Sequence, residues 1–177
     1  MDLQNLLAQF SADEADRLEW LATTGFPCPQ VVDRGNTWML TTKLSGLDAT
    51  DDWPAADRPA VLTAIATGLR ELHALPSSPF PSPFPGTPEV VTHGDYAAPN
   101  VFIDPETLQF SGMLDVGRLG MGDPYVDLAL MYKSLAHGRN PQYGLTPAAR
   151  SFVKQYGGDP DDPRIAYYIA LDDSASF

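Results

Sequence analysis

His93-Gly94-Asp95-Tyr96-Ala97-Ala98-Pro99-Asn100 and, about twenty residues further on, Asp115-Val116-Gly117-Arg118 are the two stretches that decide how this chain is read. The first sets an acid, Asp95, five residues ahead of an amide, Asn100, and the second supplies another acid, Asp115. Asp95 alone would pass as a turn residue, since Gly-Asp pairs are common in loops. The joint pattern is rarer. Moving a phosphoryl group from a nucleotide requires a carboxylate to receive the acceptor's proton, an amide oxygen on a metal, and a second carboxylate clamping that metal to the phosphates.

The protein-kinase template supplies these groups in the same order and at this spacing. His93 stands with Asp95 as a catalytic candidate, and its expected part is to brace the loop by hydrogen bonds. Gly117 is expected to permit the sharp turn that frees the Asp115 carboxylate. Mg²⁺ prefers oxygen ligands and keeps several waters, so Asn100, Asp115 and phosphates suffice as its shell. The set has no Cys or His ligand pair, which argues against zinc.

Composition bounds the rest. The chain has 177 residues, enough for one domain or a small domain plus part of another. Lys and Arg number 11 against 23 Asp and Glu, for a formal charge of −12. That field repels nucleic acid and attracts polycations, although acidity also serves solubility alone. The lone cysteine, Cys28, allows no intrachain disulfide. No apolar run approaches the ~20 residues of a membrane span, and no signal-peptide pattern opens the chain. A cytoplasmic location with no membrane partner is expected.

Leu3, Leu6, Leu7 and Phe10 keep helical spacing, and Ser11 opens a capping box with Glu14. Either one helix runs through Ser11 or a second starts there, and Gly25, Pro27 and Pro29 stop it. Thr37 to Leu44 reads as a strand ended by Ser45-Gly46. Leu62, Ile65, Leu69, Leu72 and His73 mark a helix from about Asp57 to Leu75, with Pro59 tolerated in its first turn. From Pro76 to Pro88 there are six prolines, an extended linker unable to complete a sheet ladder. Glu89–Thr92, Val101–Ile103 and Phe110–Leu114 read as strands, the last two forming a hairpin with catalytic candidates at both ends. Helices are expected over Val126–Leu135, Pro147–Tyr156 and Arg164–Leu171. Asp127 is placed to cap its helix or brace the catalytic loop. His73 and His137 read as surface or packing residues.

The two motifs, together with Phe110-Ser-Gly-Met-Leu-Asp115-Val-Gly-Arg118-Leu-Gly and Asp123-Pro-Tyr-Val-Asp127-Leu-Ala, resemble the aminoglycoside phosphotransferase family, most of all its 3'-phosphotransferases. Asp13 through Pro29, and Arg164 through Tyr168 with Leu171-Asp172-Asp173 and terminal Phe177, extend the likeness over nearly the whole chain. The resemblance implies an α+β, protein-kinase-like fold. Residues 1–50 would be a remnant of the nucleotide lobe, and residues 51–177 the helical catalytic lobe, with the Pro-rich linker at 76–88.

It implies transfer of the γ-phosphoryl group of ATP, with Mg²⁺, to a hydroxyl of a small cationic aminosugar. Asp95 is then the base, and Asn100 and Asp115 hold the metal. Glu14 matches the helix glutamate that pairs with a phosphate-gripping lysine. Asp172, Asp173 and the Phe177 carboxylate match an acidic tail that grips substrate ammonium groups. Lys43, on the strand near the expected adenine hinge, is placed with the nucleotide but not as that lysine. A Gly-rich loop and a strand lysine are not found ahead of the helix, and the Pro-rich stretch stands where the family carries a helical insertion. Two other readings stay open: an inactive fragment or binding protein of the same fold, and a kinase for another small hydroxylated amine such as an amino sugar or choline.

Overall fold

The computed structural model describes residues 12–174, so Leu3, Leu6, Leu7, Phe10, Ser11 and Phe177 lie outside the described residues. Helix α1 (Ala12–Thr23) turns Glu14, Ala15, Leu18 and Leu21 inward at helical spacing. It stops at Gly25, whose φ of 78° belongs to the left-handed cap that glycine takes without strain. Strands β1 (Val31–Arg34) and β2 (Met39–Thr41) form an antiparallel hairpin.

The strand expected over 37–44 is thus shorter, and its partner β1 went unread. Gln30 and Thr42 close the hairpin's open end by main-chain and hydroxyl bonds. Beyond it the chain leaves the ladder, and Leu44 becomes buried.

Strand β3 (Leu47–Asp48) pairs with β5 (Val101–Ile103), which pairs in turn with β6 (Phe110–Met113), all antiparallel. Helix α2 (Arg58–His73) lies against this sheet and buries Ile65, Leu69 and Leu72 completely. Each such side chain contributes about 1.5–3 kcal/mol by leaving water. At Gly68 a Cβ would fall inside the Phe110 ring, so glycine sets how closely the helix can cross the hairpin.

Strand β4 (Val90–Thr92) pairs with β7 (Gly120–Gly122). Helix α3 (Tyr125–Ala136) then packs on α4 (Thr146–Tyr156) and α5 (Pro163–Ser174). One core cluster runs from Ala15 on α1 through to Tyr168 on α5.

The Pro-rich stretch corrects the expectation of a linker that forms no ladder. Pro81 bridges Met121 in parallel, with Met121 N–H donating to Phe80 O at 2.8 Å and Ser82 N–H donating to Met121 O at 3.1 Å. Proline lacks only its own donor, and here the ladder uses the groups on either side of it. Phe84 is buried with its ring edge-on to Tyr168, and the Tyr168 hydroxyl donates to Pro85 O. The segment is therefore a packed strap across β7 and α5. Phe84→Ala should lower unfolding free energy by about 3 kcal/mol, as for a buried aromatic. Urea unfolding checks this, and a change within about 0.5 kcal/mol would mean a linker after all.

Candidate functional site

The first motif is built on a buried carboxylate. Asp127, in the first turn of α3, is fully enclosed and accepts hydrogen bonds from His93 N–H at 2.7 Å and Gly94 N–H at 2.9 Å. It braces the loop, one of the two roles expected for it. His73 on α2 adds a third bond, Nε2 to Asp127 Oδ2 at 3.0 Å, and its Nδ1 meets the Tyr156 hydroxyl of α4 at 2.7 Å. Gly94 takes φ 78°, and a Cβ there would come within 2.6 Å of Arg118 Cβ and O. Any larger residue would push the two motifs apart.

His93 is buried with both ring nitrogens engaged by main chain. Nδ1 accepts from Asp95 N–H at 3.1 Å, so Nε2 carries the proton and donates to Leu114 O at 2.8 Å. The ring links the two motifs and has no face open to a substrate. The structure therefore corrects its place among the catalytic residues to that of a positioning residue, the bracing part expected for it.

Asp95 leads through a 3₁₀ turn (Ala98–Asn100) into β5, while β6 delivers Asp115. Because β5 and β6 pair antiparallel, their outer ends lie side by side, and Leu114 N–H donates to Asn100 O at 2.9 Å. The Asn100 amide nitrogen donates to Asp95 O at 2.9 Å and approaches Asp95 Oδ2 at 3.4 Å. This fixes the amide and leaves its oxygen available as a ligand. Asp115 is exposed and itself adopts the left-handed conformation, φ 59°. Asp tolerates that region better than most residues, and such backbone strain often accompanies a functional carboxylate. The expectation that Gly117 would make the turn is corrected accordingly.

Glu14 on α1 is buried beside this acid. Burial raises its carboxyl pKa, the Asp115 charge raises it further, and the Val116 amide and Arg17 pull it back. Two adjacent carboxylates, one fixed amide oxygen and no opposing lysine among the described residues form a hard-oxygen set suited to Mg²⁺. Among the described residues no group of three His, Cys, Asp or Glu would hold a metal unaided. Arg17 Nε donates to Leu119 O at 2.9 Å and fastens α1 to the second motif. Lys43 is exposed in the coil after β2, with no hydrogen bond or ion pair to Asp95, Asn100 or Asp115. The structure does not bring it into the site.

Asp95 opens onto a cavity of about 740 Å³. Asp172 and Asp173 of α5 line it, and Asp51 and Asp52 line it too. The last pair went unread because it belongs to no motif. Lys133 of α3 also lines the cavity, and its Nζ sits 2.8 Å from Asp172 Oδ2 and 2.5 Å from Asp173 Oδ1. Its signal was present, as the one cation of an otherwise apolar helix. Burial raises the Asp95 pKa. Arg118 lowers it, and Asp115 and Asp172 raise it again, with a net shift upward.

The phosphotransferase enzyme family matches the chain over residues 4–88 and 81–168. The aminoglycoside 3'-phosphotransferase of Streptomyces ribosidificus is 35% identical over an alignment of 208 residues, covering 90% of this chain and 79% of that protein. The streptomycin 3''-kinase of Streptomyces griseus is 28% identical, covering 90% and 78%. An alignment of 208 positions that takes in 90% of a 177-residue chain must cross internal residues that this chain lacks. The two family segments meet at 81–88, inside the Pro-rich strap.

Among solved structures, an aminoglycoside-3'-phosphotransferase of type VIII superposes with a TM-score of 0.81 at 31% identity, over 90% of this chain and 78% of the other. An aminoglycoside phosphotransferase from Streptomyces rimosus, in complex with ADP and streptomycin, superposes with a TM-score of 0.72 at 28% identity, over 90% and 80%. Sequence and structure agree on a protein-kinase-like α+β fold, and the chain belongs to the aminoglycoside phosphotransferase family.

Proposed function

We propose that this chain transfers the γ-phosphoryl group of ATP to a hydroxyl of an aminoglycoside, and that the hydroxyl is the 3' one named for its relatives. The observation that carries the reading is the meeting of Asp95, Asn100 and Asp115 at the open end of one hairpin, beside a cavity rich in carboxylates. Asp95 orients the acceptor hydroxyl and takes its proton. Asn100 and Asp115 would hold Mg²⁺, which supplies charge neutralisation on the phosphates when bound. His93 and Asp127 keep the loop in register. Glu14, beside Asp115, faces the nucleotide side.

One observation favours a second reading. The cation that acts on Glu14 is Arg17, and Lys43, Lys133 and Lys154 all lie elsewhere. A chain that binds nucleotide and amine without turnover would look like this. An assay with ATP, Mg²⁺ and kanamycin separates the two. Transfer to kanamycin, with none to a 3'-deoxy analogue, supports the proposal. Binding without transfer supports the second reading, and transfer to choline alone would reassign the acceptor.

Asp95→Asn should cut turnover by about 10²–10⁴-fold, the usual contribution of a general base. Its effect on stability runs the other way. A carboxyl whose pKa is raised on folding contributes stability that is complete below its unfolded pKa and lost as pH rises through the folded one. At neutral pH the ionised Asp95 is therefore a cost, and the amide should melt no lower than the native chain. Differential scanning calorimetry checks this, and a lower Tm for Asp95→Asn would contradict it.

The pH profile gives a further check. Asp95 must be ionised to accept a proton, so activity should fall as pH drops through its raised pKa, above the ordinary carboxylate value of 3.8. Arg118 is among the groups holding that pKa down. Arg118→Met should move the acid limb of kcat/KM to higher pH. A limb that stays in place or moves lower would remove Asp95 as the titrating base.

A further inference from the structure

Helix α3 presents an almost wholly apolar sequence to the core, and its cation, Lys133, does not reach out to solvent. The side chain is 21% exposed and ends between two carboxylates, 2.8 Å from Asp172 Oδ2 and 2.5 Å from Asp173 Oδ1. Arg118 Nη1 takes the other oxygen of Asp172 at 3.3 Å. Two acids thus face two cations at contact distance, Arg139 lines the same cavity and acts on Asp173, and this part of the wall carries no net negative charge.

The loop before α2 lines the same cavity with acids of a different kind. The Asp51 carboxylate accepts the Asp48 N–H at 3.1 Å. Asp52 is wholly exposed, with Arg58 Nη2 at the margin of contact, 4.0 Å away. Asp95 lines the same cavity.

We infer that Lys133 is an internal ammonium occupying the Asp172–Asp173 pair in the place a substrate amine would take. The pair then accepts an incoming ammonium only by exchange, and net attraction for a cationic substrate comes from Asp51, Asp52 and Asp95. This rests on the proposed aminoglycoside acceptor and names the residue that sets its charge selectivity.

Exchange of one ammonium for another at the same oxygens leaves the Coulomb energy nearly unchanged. The wall therefore contributes little affinity while Lys133 is present. Lysine suits the part, because a compact charge on a four-carbon stem can swing away, whereas an arginine fork would lock on. Burial opposes the charge on Lys133, but the bonds to Asp172 and Asp173 outweigh it and raise its pKa. The ammonium is thus charged throughout the neutral range. A ligand with one amine gains little at this wall. A ligand with several can engage Asp51 and Asp52 while one amine competes with Lys133.

The test is kanamycin binding by calorimetry at low salt, on the full chain. Lys133→Met, with Lys133→Gln as a second neutral replacement, should bind about five-fold more tightly, the range of a partly exposed ion pair. Lys133→Arg should match or fall below the native affinity. Asp172→Asn with Asp173→Asn should weaken native binding, because Lys133 then keeps its charge on the cavity wall with no acid against it. In the Lys133→Met background the same pair should abolish the gain. A purely structural lysine would shift Tm without that coupling.

Native binding that Lys133→Met and Lys133→Gln leave unchanged or weaken would overturn the inference and leave the proposed substrate standing. So would a gain from Lys133→Met that survives loss of the aspartate pair. Failure of the native chain to bind kanamycin at all would overturn both.

Discussion

The Asp127 carboxylate is the constraint on which the rest of the site depends. A fully buried negative charge costs several kcal/mol unless it is paired and hydrogen-bonded. Here it is met by two main-chain amides of the first motif and by His73, which the Tyr156 hydroxyl holds from the far side. Helices α2, α3 and α4 therefore converge on one group, and that group fixes the backbone immediately before Asp95. The loop that carries Asp95 is already held by the core. Such prior organisation is where enzymes of this chemistry obtain most of their effect. His93 carries the same rigidity across to the second motif through Leu114 O.

Around that fixed loop, charge is divided between two sides. On the hairpin side, Glu14 and Asp115 sit close enough for one to raise the pKa of the other, an arrangement that a divalent cation would relieve. On the cavity side, Asp51, Asp52, Asp172 and Asp173 surround the acceptor space, with Lys133 and Arg118 neutralising the tail pair. The net charge of −12 gives both sides a field that draws cations in. At physiological ionic strength it reaches about 8 Å, so selectivity is decided by contacts inside the cavity. The packed strap matters here. It occupies the stretch where the family match breaks, and it turns what read as a linker into a wall of the catalytic lobe.

Much of this was legible in the sequence because it is local. The helices came from apolar spacing, and α2 and α4 end within about two residues of where their patterns stop. Asp95, Asn100 and Asp115 came from spacing in a motif whose chemistry allows few alternatives. What escaped depends on contacts between distant segments. Gly120–Gly122 has no strand propensity and becomes β7 only because β4 and the strap flank it. The left-handed turn fell on Asp115, since the hairpin exit sets its φ and no glycine is required there. Lys133 and the Asp51–Asp52 pair carry no motif, and their meaning appears only when α3, α5 and the loop before α2 enclose one cavity.

The central claim is that Asn100 and Asp115 hold a divalent cation against nucleotide phosphates, next to Asp95. Anomalous scattering from crystals of the chain grown with ADP and Mn²⁺ tests it most directly. The account predicts a peak between the Asn100 amide oxygen and the Asp115 carboxylate, in contact with the nucleotide. A peak bound elsewhere on the nucleotide, or nucleotide bound away from Asp115, would contradict it.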